Sequence, residues 1–234
     1  MSNYAFFDVD QTIYDGYSTP DFYLYLVSQG FGGDWTIKKD KEIGELYGSG
    51  QISYKIAGEK VTQLLADTIK GHEVDEINHF AKQFLMVKNK LKPFAVELIT
   101  MLKRNDHQTI LVSGSTTPSV EAIRHVSGAD KILCTKLEIG NNKYTGQVSQ
   151  MLDDIEKKKA ILDEYKLDNP DSIKLGFGDS TGDVPMLSLC DHVFVITPHQ
   201  EDMIALSKAK RWNLVSNENV LEIVKQILNI PLNR

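Results

Sequence analysis

The 234-residue chain has little of several features that would place it in a specialised class of protein. Its two cysteines, Cys134 and Cys190, are far apart and lie among apolar residues, which excludes a CxxC metal or redox motif and predicts buried free thiols. No apolar run approaches the roughly 18 residues of a membrane span, and the first residues lack the pattern of a signal peptide. We therefore expect a cytoplasmic protein with no membrane partner.

Positive charge is also scarce. The net charge is -6, the one dense basic spot is the triplet Lys157-Lys158-Lys159, and no arginine occurs between residues 1 and 103. Because phosphate contacts with nucleic acids need clustered lysine and arginine, this composition argues against a nucleic-acid surface. The hydrophobic content of 41% and charged content of 25% are ordinary for a globular protein.

The C-terminal half alternates short apolar runs with helical patterns. QTILVS (108–113), IKLGFG (173–178) and HVFVI (192–196) read as buried strands, and KILCTKLEI and KYTGQV flank the turn GNN as a hairpin. Continuous apolar strands that alternate with helices are typical of a parallel sheet covered on both faces. The pattern predicts an α/β fold with a Rossmann-like three-layer core and a mostly parallel sheet.

The segment from residue 17 to residue 91 contains helical patterns only. It interrupts the alternation after the first strand, and KPFAVELITMLKRN then resumes it. We therefore predict two units: a core made of residues 1–16 and 92–234, and an all-helical insertion over residues 17–91.

Polar residues follow several predicted strands at the point where each strand ends. Asp8, Asp10 and Thr12 follow the first strand, Ser113-Gly114-Ser115 follows TILV, and GDSTGD (178–183) follows IKLGF. Strands of an open parallel sheet carry ligand sites at their carboxyl ends. Clustered carboxylates repel one another, which favours a hard cation such as Mg²⁺, and a lysine with hydroxyls would bind an anionic oxygen group. Together they predict a phosphoryl-transfer site.

These stretches resemble a known family. DVDQTIYD, LVSGS, the lysine helix and GFGDSTGDVPML are similar to the four motifs of the haloacid dehalogenase superfamily of phosphohydrolases, and the helical insertion resembles its C1-type cap. The YTG hairpin and the D-x-P-M-L ending resemble subfamily IB, which includes phosphoserine phosphatase. The resemblance implies a Mg²⁺-dependent phosphatase for a small phosphomonoester, with a phosphoaspartyl intermediate and a cap that closes over the site.

The resemblance also implies individual roles. Asp8 matches the nucleophile, and Asp10 matches the general acid and base, with its backbone carbonyl on the metal. Thr12 would hold Asp10 and the turn, and we count it with the phosphate-binding residues. Ser113 and the Gly114 amide would bind phosphoryl oxygens. The expected metal-site residues are Asp8, Asp10, Asp179 and Asp183.

The lysine of the third motif must be chosen from the triplet. Lys158 precedes Leu162 by four residues and lies 21 residues before Asp179, a spacing that suits the family. We therefore favour Lys158 as the residue that pairs the nucleophile with the phosphate. Lys159 is the alternative, and the spacing favours Lys157 least.

The sequence indicates less about the substrate than about the reaction. Without arginine before residue 104, a bidentate cap clamp for a carboxylate is not expected. The aromatic residues of the insertion either pack its own core or line a pocket for a cationic or apolar leaving group, choline-like or ethanolamine-like: Phe22, Tyr23, Tyr25, Trp35, Tyr47 and Tyr54. Alternative functions are a phosphomutase on the same fold, a receiver-like phospho-acceptor module, and a catalytically silent binding protein. The sequence does not indicate an oligomeric state.

Overall fold

The computed structural model describes residues 3–152, 154–165 and 172–230. In these residues seven strands form one sheet in the order β4-β3-β2-β1-β5-β6-β7, in which only β4 runs antiparallel to its neighbour. The strands are β1 Asn3–Phe7, β2 His107–Thr116, β3 Lys131–Gly140, β4 Lys143–Gln150, β5 Lys174–Gly178, β6 His192–Ile196 and β7 Asn213–Val215. The mostly parallel α/β sheet is confirmed.

Helices connect the strands and cover the sheet. Between β1 and β2 lie α1 Ser18–Ser28, α2 Asp34–Gly48, α3 Tyr54–Thr68, α4 Val74–Lys88 and α5 Phe94–Arg104. The later helices are α6 Thr117–Ser127, α7 Asp154–Glu164, α8 Val184–Leu187, α9 Glu201–Lys210 and α10 Val220–Ile227. We call the four helices α1–α4 the cap, and the sheet with the remaining helices the core.

Side chains on the two faces of the sheet form two separate apolar clusters. Successive residues of a strand point to opposite faces, so Phe6 and Phe7 enter different clusters. On one face Phe7 stacks on Phe177 with ring centroids 4.3 Å apart, and Phe177 stacks on Phe194 at 4.9 Å. This packing fixes β1, β5 and β6 side by side, and β1 and β5 lead directly to two of the polar stretches.

The chain crosses between core and cap twice, and the two crossings are hydrogen-bonded to each other. The amide of Asp15 donates to the carbonyl of Lys90 at 2.8 Å, and the amide of Lys92 donates to the carbonyl of Ile13 at 2.8 Å. Lys90 also pairs with Asp21 of α1 at 2.9 Å. The base of the cap is therefore a short paired segment and not two independent linkers.

The hairpin β3–β4 reaches the cap at a second place. Asn141 and Asn142 turn it with positive φ angles of 51° and 61°, which suits a tight hairpin turn. The Gly71 amide donates to the carbonyl of Tyr144 at 2.8 Å, and the Tyr144 amide donates to the carbonyl of His72 at 3.0 Å. The loop between α3 and α4 is thus joined to the core by backbone hydrogen bonds.

No helix among the described residues is long and apolar enough to cross a membrane. Cys134 and Cys190 are both free thiols; Cys134 is buried and Cys190 is partly buried.

Candidate active site

The site lies where three adjacent strands end. Phe7, the last residue of β1, pairs with Leu111 of β2 on one side and with Phe177 of β5 on the other. Asp8 therefore emerges between Ser113 and the segment that begins at Gly178. This register brings residues from three distant parts of the sequence to one edge of the sheet, where ligands bind in open parallel sheets.

Three carboxylates meet at this edge. Oxygen atoms of Asp8, Asp179 and Asp183 all lie within 4.8 Å of one another. Burial and the neighbouring Asp183 raise the pKa of Asp8 well above its usual range, and the same two causes raise the pKa of Asp179 to about 7. Like charges this close need a counter-ion. The group contains neither histidine nor cysteine, so the all-oxygen donor set fits a hard cation such as Mg²⁺.

Asp183 is held rigidly within this group. Its Oδ2 atom accepts hydrogen bonds from the Asp179 amide, the Ser180 amide and the Ser180 hydroxyl, each at 3.1 Å. Gly178 leaves the room that this arrangement needs, because an added Cβ would lie 2.8 Å from both Cβ and Oδ2 of Asp183. The position of the Asp183 carboxylate therefore requires a glycine at the end of β5.

We expect Gly178→Ala to lower the free energy of unfolding by about 1–3 kcal/mol, because Asp183 is fixed and the new methyl group overpacks a buried site. Denaturant unfolding measures this change. Gly58→Ala in α3 is the matched control; its Cβ would meet nothing within 4 Å, and alanine favours the helix by up to about 1 kcal/mol. An unchanged unfolding midpoint for Gly178→Ala would contradict the steric argument.

Asp10 lies beside the three carboxylates, with a different set of partners. Its Oδ1 atom accepts from the backbone amide of Ser18 at 2.9 Å, and its Oδ2 atom accepts from the Ser115 hydroxyl at 2.6 Å. Burial raises the pKa of Asp10, and the hydrogen bonds from Ser115 and Ser18 oppose that rise. The Asp10 carboxyl is thus joined both to β2 and to the first residue of the cap.

Ser115 is a site residue to which the sequence reasoning assigned no role. Ser115 lies two residues after Ser113, where β2 shifts its pairing register against β3. The Ser113 hydroxyl accepts from the Ser115 amide at 3.1 Å, and both residues are buried. The i, i+2 spacing within SGS was the available signal. Gly114 between them is exposed, and its carbonyl accepts from Thr135.

The Thr12 side chain contacts Asp179, one of the three clustered carboxylates. Its hydroxyl donates to Oδ1 of Asp179 at 3.2 Å, and its side chain is fully buried. The amides of Thr12, Ile13 and Tyr14 turn back on the carbonyl of Val9, which closes the loop after β1. Thr12 therefore positions Asp179 in this structure.

The lysine that contacts Asp8 is Lys157. Its Nζ atom lies 3.4 Å from Oδ1 of Asp8 and 3.5 Å from Oδ1 of Asp183, and its side chain is buried. The sequence-based choice was Lys158, whose side chain lies outside the described part of the structure. Lys159, the alternative, is exposed and pairs with Glu156 at 3.9 Å.

The difference has a physical reason in the orientation of α7. Lys158 was chosen on two spacings, four residues before the apolar Leu162 and 21 residues before Asp179. In the structure Leu162 is 49% exposed and Ile161 is fully buried. The buried face therefore contains Ile161 and the residue four positions before it, Lys157.

Lys92 is a second buried lysine at this edge, and the sequence reasoning did not single it out. Its Nζ atom donates to the carbonyl of Gln11, a residue with a positive φ of 63° in the loop after β1. Burial lowers the pKa of Lys92, and the carboxylate of Asp179 opposes that shift. Lys92 supports the loop that holds Asp10 and Thr12.

Comparison with known proteins identifies the family of the chain. A family model described as haloacid dehalogenase-like hydrolase matches residues 5–188. A Mycobacterium tuberculosis protein named as a probable phosphatase is 25% identical over 203 residues, which cover 83% of this chain and 68% of that protein. A Bordetella pertussis structure of unknown function aligns with a TM-score of 0.77 and 18% identity, over 93% of this chain and 99% of that one.

A phosphoserine phosphatase structure, described as a phospho-aspartyl intermediate analogue, aligns with a TM-score of 0.59 and 18% identity over 96% of this chain and 98% of that chain. At this level of identity the two solved structures establish the shared α/β fold alone. The matched model spans most of the chain, from β1 to α8, and includes all four motif regions. The chain belongs to the haloacid dehalogenase-like hydrolase family.

Proposed function

We propose that this protein is a Mg²⁺-dependent phosphatase that hydrolyses a small-molecule phosphomonoester through a phosphoaspartyl intermediate. The observation that carries the proposal is the convergence of Asp8, Asp179 and Asp183 beside the ammonium group of Lys157. Membership of a hydrolase family supports it. Asp8, Asp179, Asp183 and the carbonyl of Asp10 would hold the ion, which would neutralise phosphoryl charge.

The first half-reaction uses Asp8 and Asp10. A carboxylate oxygen of Asp8 attacks phosphorus, an oxygen–phosphorus bond forms, and the bond from phosphorus to the ester oxygen breaks. Asp10 donates a proton to the leaving oxygen. The raised pKa of Asp10 supports this role, because burial favours the protonated form of the carboxyl group.

The second half-reaction returns both residues to their starting states. Asp10, now ionised, accepts a proton from a water molecule that attacks the acyl phosphate. The bond between Asp8 and phosphorus breaks, and inorganic phosphate leaves. Ser113, the Gly114 amide and Lys157 bind phosphoryl oxygens in both steps, so that charge on the transferred group is balanced throughout.

The test is phosphate release from a set of metabolite phosphomonoesters. We expect continuous release over many turnovers with Mg²⁺, and a fall of at least about a hundredfold after complete chelation, because the carboxylates then repel the incoming phosphate. Sustained release separates a phosphatase from a receiver-like module, which is phosphorylated once, and from a phosphomutase, which retains the phosphate. Unchanged turnover after chelation would exclude the proposal.

The pH dependence of thermal melting, with and without Mg²⁺, tests whether the ion binds to carboxylates. The pKa of Asp179 is raised to about 7 in the folded protein, whereas an aspartate of the unfolded chain releases its proton at about pH 4. Between these two pH values the folded state binds the additional proton, so the stability of the metal-free protein falls as the pH rises from about 4 to about 7. Protons compete with the ion below that pKa. Mg²⁺ should therefore raise the melting temperature more at about pH 8 than at about pH 5.5. An equal rise at both pH values would argue against a carboxylate site.

A further inference from the structure

Three exposed tyrosine rings form a continuous group on the cap. Tyr17 precedes α1, Tyr47 lies in the last turn of α2, and Tyr54 begins α3. Their exposed fractions are 46%, 48% and 63%, although large aromatic side chains usually bury most of their surface. The ring centroid of Tyr54 lies 6.2 Å from that of Tyr17 and 6.3 Å from that of Tyr47. We call these three residues the tyrosine rim.

The tyrosine rim lies next to the catalytic carboxylates. Tyr17 immediately precedes Ser18, whose amide donates to Asp10 at 2.9 Å. Tyr17 is also the ring neighbour of Tyr54, with centroids 6.2 Å apart, so the rim continues from the residue beside Ser18 to α3. Three other cap aromatics, Phe22, Tyr23 and Tyr25, are buried in the cap. Some cap aromatics therefore pack the core of the cap, whereas those of the rim and Trp35 remain exposed.

The charges around the tyrosine rim are unfavourable for an acidic ligand. Two of the lysines that the structure describes at this edge pair with carboxylates: Lys157 contacts Asp8 and Asp183, and Lys90 pairs with Asp21. The Lys92 ammonium is bound to a backbone carbonyl. No arginine precedes residue 104. A leaving group that carried its own carboxylate would meet aromatic faces and the negative field of the site.

We propose that the tyrosine rim binds the leaving group of the substrate, and that this leaving group is a small alcohol bearing a positively charged nitrogen. Aromatic faces attract such cations, and the carboxylates below add to that attraction. The inference rests on the proposed function, because it assigns the alcohol portion of the same ester. It identifies a substrate class: phosphorylated amino alcohols and their quaternary ammonium counterparts.

The experiment compares three esters by kcat/KM in Mg²⁺. Phosphocholine is the cationic probe, 3,3-dimethylbutyl phosphate is its neutral isostere, and 3-phosphoglycerate is the acidic probe. We expect phosphocholine to exceed the neutral isostere by about 2- to 30-fold, the range of a cation–aromatic contact. The acidic ester should be the poorest of the three.

Substitutions of single aromatic residues test whether the tyrosine rim causes the preference for the cationic ester. Tyr54→Leu should reduce the ratio of the cationic to the neutral ester towards one, whereas Tyr54→Phe, which keeps the aromatic face, should retain most of it. Trp35→Leu is the matched control, because Trp35 is also a half-exposed aromatic on α2. It lies about 18 Å along that helix from Tyr47, and its substitution should leave the ratio unchanged.

The outcomes separate this inference from the proposed function. Turnover of all three esters without a cationic preference, or with a preference for the acidic ester, overturns the inference alone, provided that Asp8→Asn abolishes that turnover. A preference that survives Tyr54→Leu also overturns it. No turnover of any ester with Mg²⁺ overturns the proposed function and this inference together.

Discussion

Asp8→Asn is expected to lower kcat by at least about a thousandfold, because an amide cannot form the acyl phosphate and no neighbouring carboxylate occupies the same position. Phosphate release from a neutral ester in Mg²⁺ measures the loss. Asp75→Asn, an exposed aspartate in the first turn of α4, is the matched control and should keep full activity. Normal release by Asp8→Asn would remove Asp8 from the mechanism.

The same variant should be more stable than the wild type when metal is absent. Burial raises the pKa of Asp8 most, and repulsion from Asp183 and Asp179 raises it further, against the attraction of Lys157. A neutral amide removes that repulsion at neutral pH, so the melting temperature of the metal-free protein should rise. Mg²⁺ should then stabilise the variant less than the wild type. A loss of activity together with a gain in stability would indicate that the Asp8 carboxylate serves catalysis and does not stabilise the fold.

Lys157→Ala is expected to reduce kcat/KM by at least about a hundredfold, the usual cost of removing one charged group that stabilises the transition state. Lys157 is the cation in contact with Asp8, and its loss leaves Asp8 and Asp183 facing each other without compensation. Steady-state kinetics in saturating Mg²⁺ measure the effect. The metal-free variant should also melt at a lower temperature, since a buried charge pair has lost one partner.

Two neighbouring substitutions make this prediction specific. Lys159→Ala removes an exposed lysine paired with Glu156, and exposed pairs contribute roughly 0–1 kcal/mol; little change is expected. Lys158→Ala tests the residue favoured by sequence spacing. A larger loss for Lys158→Ala than for Lys157→Ala would show that the third-motif lysine is not the one in contact with Asp8.

The sequence was sufficient for the sheet and for the polar residues at its edge. Apolar runs without polar interruption indicated buried parallel strands, and the edge residues were found because parallel strands end together. Asp8, Asp179 and Asp183 are near one another for that reason. The short turn at Asn141-Asn142 was likewise readable from local chemistry.

The features that escaped prediction depend on orientation and on non-local packing. The choice between Lys157 and Lys158 depends on a rotation of about 100° per residue around α7, and its weak amphipathic pattern left that rotation undetermined. The division of the cap aromatics into buried and exposed groups depends on how four helices pack. The contact of Lys92 with Gln11 joins residues 81 apart, and no short motif indicates it.

The hairpin between the second and third motifs has a mechanical consequence for access to the site. It is bonded to the loop between α3 and α4 through Gly71, His72 and Tyr144, and the side-chain amide of Gln63 donates to the carbonyl of Gly146 at 2.9 Å. The cap is therefore hydrogen-bonded to the core at two places, its paired base and this hairpin. A rotation of the cap about its base alone would break the hydrogen bonds at the hairpin.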